Sequence, residues 1–287
     1  MPVAAPRRLA AALAGGLLAL AAAGPADAAT ERAASGAVSA TLSYRKGGDS
    51  RWRGLQLRVA RAGVPAFAAV ARGPGCRVPH CAPAGAAAGG RSLRVLDVDA
   101  DGEPEVLVDL YTGGAHCCTV TELLHWTGAG YAVTTHDWLD AGYALDDRGR
   151  GRVAFVTGDA RFAYAFSSYA DSRFPAVILE AQQGVWRDVT RAHPETLRAE
   201  AARLRGEYDR RRGGPFALGI LAAWVADEER LGRGAHANGV VRAELRAGRL
   251  RGMPPWPAGR AYVRELRRTL RAWGYTYTAA STRTGRP

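Results

Sequence analysis

Five residues in the run DVDADGEPE could do chemistry together: Asp97, Asp99, Asp101, Gly102 and Glu105, in the pattern D-x-D-x-D-G-x-x-E. Carboxylates at alternate positions of a tight loop converge on one point, and a glycine in sixth place permits the turn that brings them round. The carbonyl of the seventh residue, Glu103, is a further oxygen donor. Such a set suits calcium, which takes roughly six to eight oxygens, better than magnesium, which demands a tighter octahedron and keeps more water. In a helix–loop–helix site a bidentate Glu is needed at position twelve, where this chain has Val108, and the flanks here read as strands. Four carboxylates packed together repel one another without a cation. The expectation is therefore a structural calcium held by Asp97, Asp99, Asp101, Glu105 and the Glu103 carbonyl.

Downstream of that strand stand Cys117 and Cys118, and upstream of it Cys76 and Cys81. An even set in an exported chain predicts two disulfides, with three connectivities open. A bridge between neighbours strains the peptide, so one of Cys76 and Cys81 is expected to bond one of Cys117 and Cys118. His80 and His116 sit beside this cluster, which makes a Cys/His transition-metal site the alternative. The missing C-x-x-C spacing weighs against both that site and a thiol-redox role.

Catalytic constellations are weaker. His136 and Asp137 are adjacent on an expected strand and so point to opposite faces. No G-x-S-x-G elbow, H-E-x-x-H pair or phosphate-cradling glycine loop is present. The chain thus reads as a non-catalytic binding or scaffolding protein. The rival is an extracellular hydrolase with its site at a sheet–helix junction, near His136 or Tyr164.

The run DVDADGEPEVLV resembles the calcium-binding turn of FG-GAP or VCBS-type repeats, the blades of integrin-like β-propellers. The resemblance covers about twenty residues of this chain. It implies a turn joining two strands, with Asp97, Asp99, Asp101 and Glu105 as side-chain ligands and Glu103 as carbonyl donor. A second copy lies 49 residues on, where LDDRGRGRVAFVTGD falls under LDVDADGEPEVLVDL. There Asp146 and Gly151 match, but Arg148, Arg150 and Ala154 replace Asp99, Asp101 and Glu105. That copy cannot hold calcium, and a guanidinium pairing with Asp146 or Asp147 is expected in the cation's place.

The elements that must position these residues follow from periodicity. Arg7 and Arg8, an apolar run and the A-x-A sequence at Ala26–Ala28 read as a secretory signal peptide over 1–28, with no transmembrane segment after its cleavage. Short apolar-alternating runs separated by glycine-rich turns predict strands over 29–190, including RFAYAFSSYA with Phe162, Tyr164 and Phe166 on one face. Helical spacing then takes over across 191–275, with Asn238 as a candidate cap, and 276–287 reads as a disordered tail. The fold class is mainly β, in partial propeller-like or sandwich-like antiparallel sheets, with an α-helical C-terminal region. The net charge of +12 rests almost wholly on arginine. The arginines are scattered, which reads first as a solvated basic face, with an anionic polymer of the envelope or exterior as the partner such a charge would suit. The lack of aromatics interleaved with the arginines argues against nucleic acid.

Overall fold

The computed structural model describes residues 28–46, 52–72, 81–85, 90–113, 118–149 and 151–276. The signal-peptide reading, apart from Ala28, and the tail from residue 277 lie outside the described residues, as do Cys76, His80, His116, Cys117 and Arg150.

Thirteen strands are described, in three antiparallel sheets. The first is a meander of β1 (Ala28–Ser35), β2 (Val38–Lys46), β3 (Trp52–Arg61) and β4 (Val64–Val70). The second holds β5 (Ala82–Pro83) and β6 (Leu93–Leu96) on one edge of β7 (Glu105–Tyr111), followed by β8 (Thr119–Trp126) and β9 (Tyr131–Asp137). The third is again a meander: β10 (Ala144–Asp147), β11 (Val153–Gly158), β12 (Ala176–Gln182) and β13 (Val185–Asp188). The described strands form no closed barrel or propeller.

The second sheet lies between the other two. Leu93, Val106, Val108, Leu110 and Leu124 pack with Leu42, Leu57 and Val59 of the first sheet. Leu107 and Leu123, on the opposite face, pack with Phe155, Leu179 and Ala181 of the third. Alternate residues of one strand face opposite ways, so a strand covered on both faces must be apolar at nearly every position. In β7, EVLVDLY, all residues but Tyr111 are buried. Val106, Leu107, Val108 and Leu110 meet that demand, while the two acids are hydrogen-bonded, Glu105 by the Val98 N–H and Asp109 by the Thr121 and Tyr143 hydroxyls.

Four helices close the chain: α1 (Pro194–Arg211), α2 (Leu218–Arg230), α3 (Gly234–Arg246) and α4 (Gly259–Ala272). Proline opens α1, where a missing N–H costs nothing. Helix α2 is buried from Leu218 to Glu228, the central rod of the helical cluster. Asn238 does not cap α3; it lies one turn inside, with its Nδ2 donating to the Gly234 carbonyl at 2.8 Å. No helix among the described residues is long and apolar enough to cross a membrane.

One expected strand is absent. The segment around Phe162 folds as two 3₁₀ turns, Ala160–Phe162 and Tyr169–Asp171. The Asp159 carboxylate accepts the Arg161 N–H at 3.0 Å and the Tyr275 hydroxyl at 2.7 Å, which fixes the first turn against the segment after α4. Phe162 and Phe166 are buried in the helical cluster, while Tyr164 is 52% exposed with a positive φ of 59°. The aromatic alternation reflected two core anchors four residues apart, and not one face of a strand.

Candidate metal centre

Strands β6 and β7 pair in register from Leu93 opposite Val108 to Leu96 opposite Glu105, and residues 97–104 connect them. Within that connection Ala100 and Gly102 have φ of 63° and 87°. Gly102 reaches this region without the side-chain clash other residues meet. The Asp97 carboxylate holds the loop in shape, accepting the Ala100 N–H at 2.8 Å on Oδ1 and the Gly102 N–H at 2.9 Å on Oδ2. Asp101 Oδ1 accepts the Glu103 N–H at 2.8 Å. These are the local bonds by which aspartate favours turns over strand.

Asp97, Asp99 and Glu105 each bring one carboxylate oxygen within 4.8 Å of the others. Glu105, the first residue of β7, is 2% exposed, and its Oε2 accepts the Val98 N–H at 2.9 Å. Burial pushes its carboxyl up to about 8, against the pull of the Val98 N–H and with added repulsion from Asp99, Asp101 and Asp97. Asp99 Oδ2 accepts the Gln183 N–H at 2.8 Å, across 84 residues of chain. Its Oδ1 is buried without a hydrogen-bond partner. A buried acid crowded by carboxylates, next to an orphaned carboxylate oxygen, is the electrostatic arrangement a divalent cation relieves. The donors are all hard oxygens, so they fit calcium.

Asp101 is exposed and stands outside this trio, with one oxygen committed to its own loop. The Glu103 side chain forms a 2.5 Å ion pair with Arg61 of β3, tying the loop to the first sheet. The third sheet reaches it as well: Gln183 lies in the β12–β13 hairpin, and the Val153 N–H donates to the Val98 carbonyl at 3.0 Å. Sequence spacing held no sign of Gln183 or Arg61, since both arrive from distant hairpins.

The degenerate copy also joins two antiparallel strands, β10 and β11, but with a tighter connection. The innermost pair is Asp147 opposite Val153, so Asp146 and Asp147 stand in the strand. Arg148, largely buried, holds Asp146 at 3.1 Å, and Glu195 lies 4.0 Å from it. A guanidinium thus sits where the first copy gathers carboxylates. Arg150 lies outside the described residues.

Among the other sequence candidates, Cys81 and Cys118 are buried and disulfide-bonded. The other two cysteines, Cys76 and Cys117, and the two histidines of the cluster lie outside the described residues. His136 is packed at 4.2 and 4.9 Å from the rings of Trp138 and Trp186, and burial lowers its pKa. Asp137, exposed on the opposite face, accepts the Leu139 N–H. These two do not form a dyad.

No protein-family model matches the chain, and no solved structure matches it. Two curated proteins are similar in part. A probable thylakoid lumen protein of Synechocystis is 30% identical over 154 residues, 49% of this chain and 44% of that protein. An uncharacterized protein of Sinorhizobium fredii is 32% identical over 149 residues, 48% of this chain and 23% of its own length. The chain spans less than half the length of either relative.

Proposed function

We propose that this is an extracytoplasmic, non-catalytic protein whose acidic turn binds one structural calcium ion, in the manner of the FG-GAP and VCBS-type turns it resembles. The observation that carries the reading is the trio Asp97, Asp99 and Glu105, one carboxylate oxygen of each lying within 4.8 Å of the others, with Glu105 buried and Asp99 Oδ1 without a hydrogen-bond partner. Asp97 and Asp99 would supply side-chain oxygens from the loop and Glu105 one from the strand. Bound calcium would neutralise their mutual repulsion and so stiffen the turn. The compartment rests on the charged-apolar-small pattern of residues 1–28 and on the name of the Synechocystis relative, a probable thylakoid lumen protein. Disulfide pairing across the Cys76–Cys81 and Cys117–Cys118 segments and an anionic-polymer partner belong to the same reading.

Thermal melts in chelator and in excess calcium test it. Calcium at a hundredfold over its dissociation constant stabilises by about 2.7 kcal/mol, enough to move the melting temperature by several degrees. Asp99→Ala removes the shift. Superimposed melts of the parent protein in chelator and calcium would sink the proposal.

A further inference from the structure

Arginines that look scattered along the sequence line up on α4. This helix, GRAYVRELRRTLRA, has five arginines and the single acid Glu265. Arg268 pairs with Glu265 at 2.5 Å, while Arg260, Arg264, Arg267 and Arg271 make no ion pair or side-chain hydrogen bond among the described residues. All five arginines are exposed, and the only other exposed residue of the helix is Ala272. At 3.6 residues per turn, the four unpaired positions fall within about 60° of arc, in a row about 16 Å long.

Neither composition nor helix stability accounts for that row. Arginine is abundant throughout the chain, yet on α1 five arginines stand with four acids, Glu195, Glu200, Glu207 and Asp209. There Arg203, Arg205 and Arg211 are paired with Glu200, Asp209 and Glu207. Like charges three and four residues apart weaken a helix, and cations in its first turn oppose the macrodipole. Arg260 stands in the first turn of α4, which holds no acid. The inward face is already used, with Tyr262, Val263, Leu266 and Leu270 buried in the helical cluster. A helix that lies in a bilayer surface needs its apolar face free for the acyl boundary. What α4 offers outward is charge alone.

We infer that the outer face of α4 binds a linear polyanion with closely spaced phosphate groups, laid along Arg260, Arg264, Arg267 and Arg271. Guanidinium forks pair with phosphate oxygens in charge-assisted, often bidentate bonds. Successive arginines of the row rise by about 4.5 to 6 Å, so a chain charged at every repeat meets each of them. A compact anion meets only one or two. This gives the anionic polymer of the proposed function its surface; it rests on that partner and not on calcium.

Titration of the intact protein with long-chain polyphosphate, in excess chelator, tests this. The parent protein binds it, and more weakly as salt rises. Tripolyphosphate, which spans too little of the row, binds about tenfold more weakly or worse. Arg264→Gln combined with Arg267→Gln weakens polyphosphate binding about tenfold and lowers the salt slope by about two. That variant melts no lower than the parent, because it loses two like charges. Arg32→Gln combined with Arg58→Gln removes the same charge from exposed positions of the first sheet and leaves binding nearly unchanged. Equal losses in the two double variants overturn the assignment, since binding then follows net charge. Undiminished binding by the α4 variant overturns it but leaves the polymer partner standing, whereas no binding by the parent removes both. Adsorption to phosphatidylglycerol vesicles that polyphosphate does not displace also overturns it, making the partner a bilayer.

Discussion

Glu105 carries the sharpest conflict in the chain: a carboxyl at the head of a buried strand, crowded by three acids and raised to about 8. Gln keeps the acceptor for the Val98 N–H while removing the charge. Glu105→Gln is therefore expected to lose the calcium-induced rise in melting temperature while melting in chelator no lower than the parent. Asp97 behaves differently because its two oxygens hold two loop N–H groups. Asp97→Ala should cost about 1 kcal/mol in denaturant unfolding even in chelator, since two exposed loop N–H groups exchange the carboxylate for water. A variant that loses the calcium response but is otherwise as stable as the parent would contradict that assignment. Residue types and spacing made this loop legible, because alternate aspartates before a glycine leave few other turn geometries. The fates of Asp101 and Glu103 were not legible, since one bonds its own loop and the other meets Arg61 on a distant strand.

The acidic turn and the β12–β13 hairpin form one joint through the Gln183 N–H and Asp99. Gly184 beside it has φ of 74°, and a Cβ there would stand 2.3 Å from the His125 ring. Gly184→Ala should destabilise by about 1–3 kcal/mol and weaken calcium binding together, although no calcium ligand is altered. Unchanged calcium affinity in that variant would uncouple the hairpin from the site. The arginine-bearing copy leads to a second expectation at this scale: calorimetry gives one calcium per chain. Most strands and helices were readable from period-two and helical spacing. The segment from Ala160 to Asp171 was not, because two phenylalanines four apart serve a helical-cluster core as well as a strand would serve a sheet.

Across the whole molecule, the sheets and the helical cluster meet at Asp227 of α2, which is fully buried and accepts the Ala176 N–H of β12 at 3.1 Å. Burial pushes its carboxyl well above the usual range, with Glu200 adding to the rise and Arg230 opposing it. The folded state then holds a proton that the unfolded chain releases near the ordinary value. Stability accordingly falls as pH climbs from that value toward the raised one. Asp227→Asn should flatten this slope, melting above the parent at alkaline pH and converging with it in acid. Parallel pH profiles for the two proteins would refute it. No pattern in α2 announced this, as an Asp near a helix end usually reads as a solvated one. The placement of the second sheet between the other two was partly visible in the consecutive apolar residues Val106, Leu107 and Val108 of β7.

The reach of Asp99 to Gln183 also governs timing. The loop and strand carrying Asp97, Asp99 and Glu105 can form early and locally, but the seat is complete only when a hairpin 84 residues away has docked. Long-range closures of this kind come late on a folding path. An ion that grips only the finished arrangement acts on the native state and not on the transition state before it. Calcium bound as proposed would be a latch on the way out of the fold: it should slow unfolding in stopped-flow measurements and leave the refolding rate nearly unchanged.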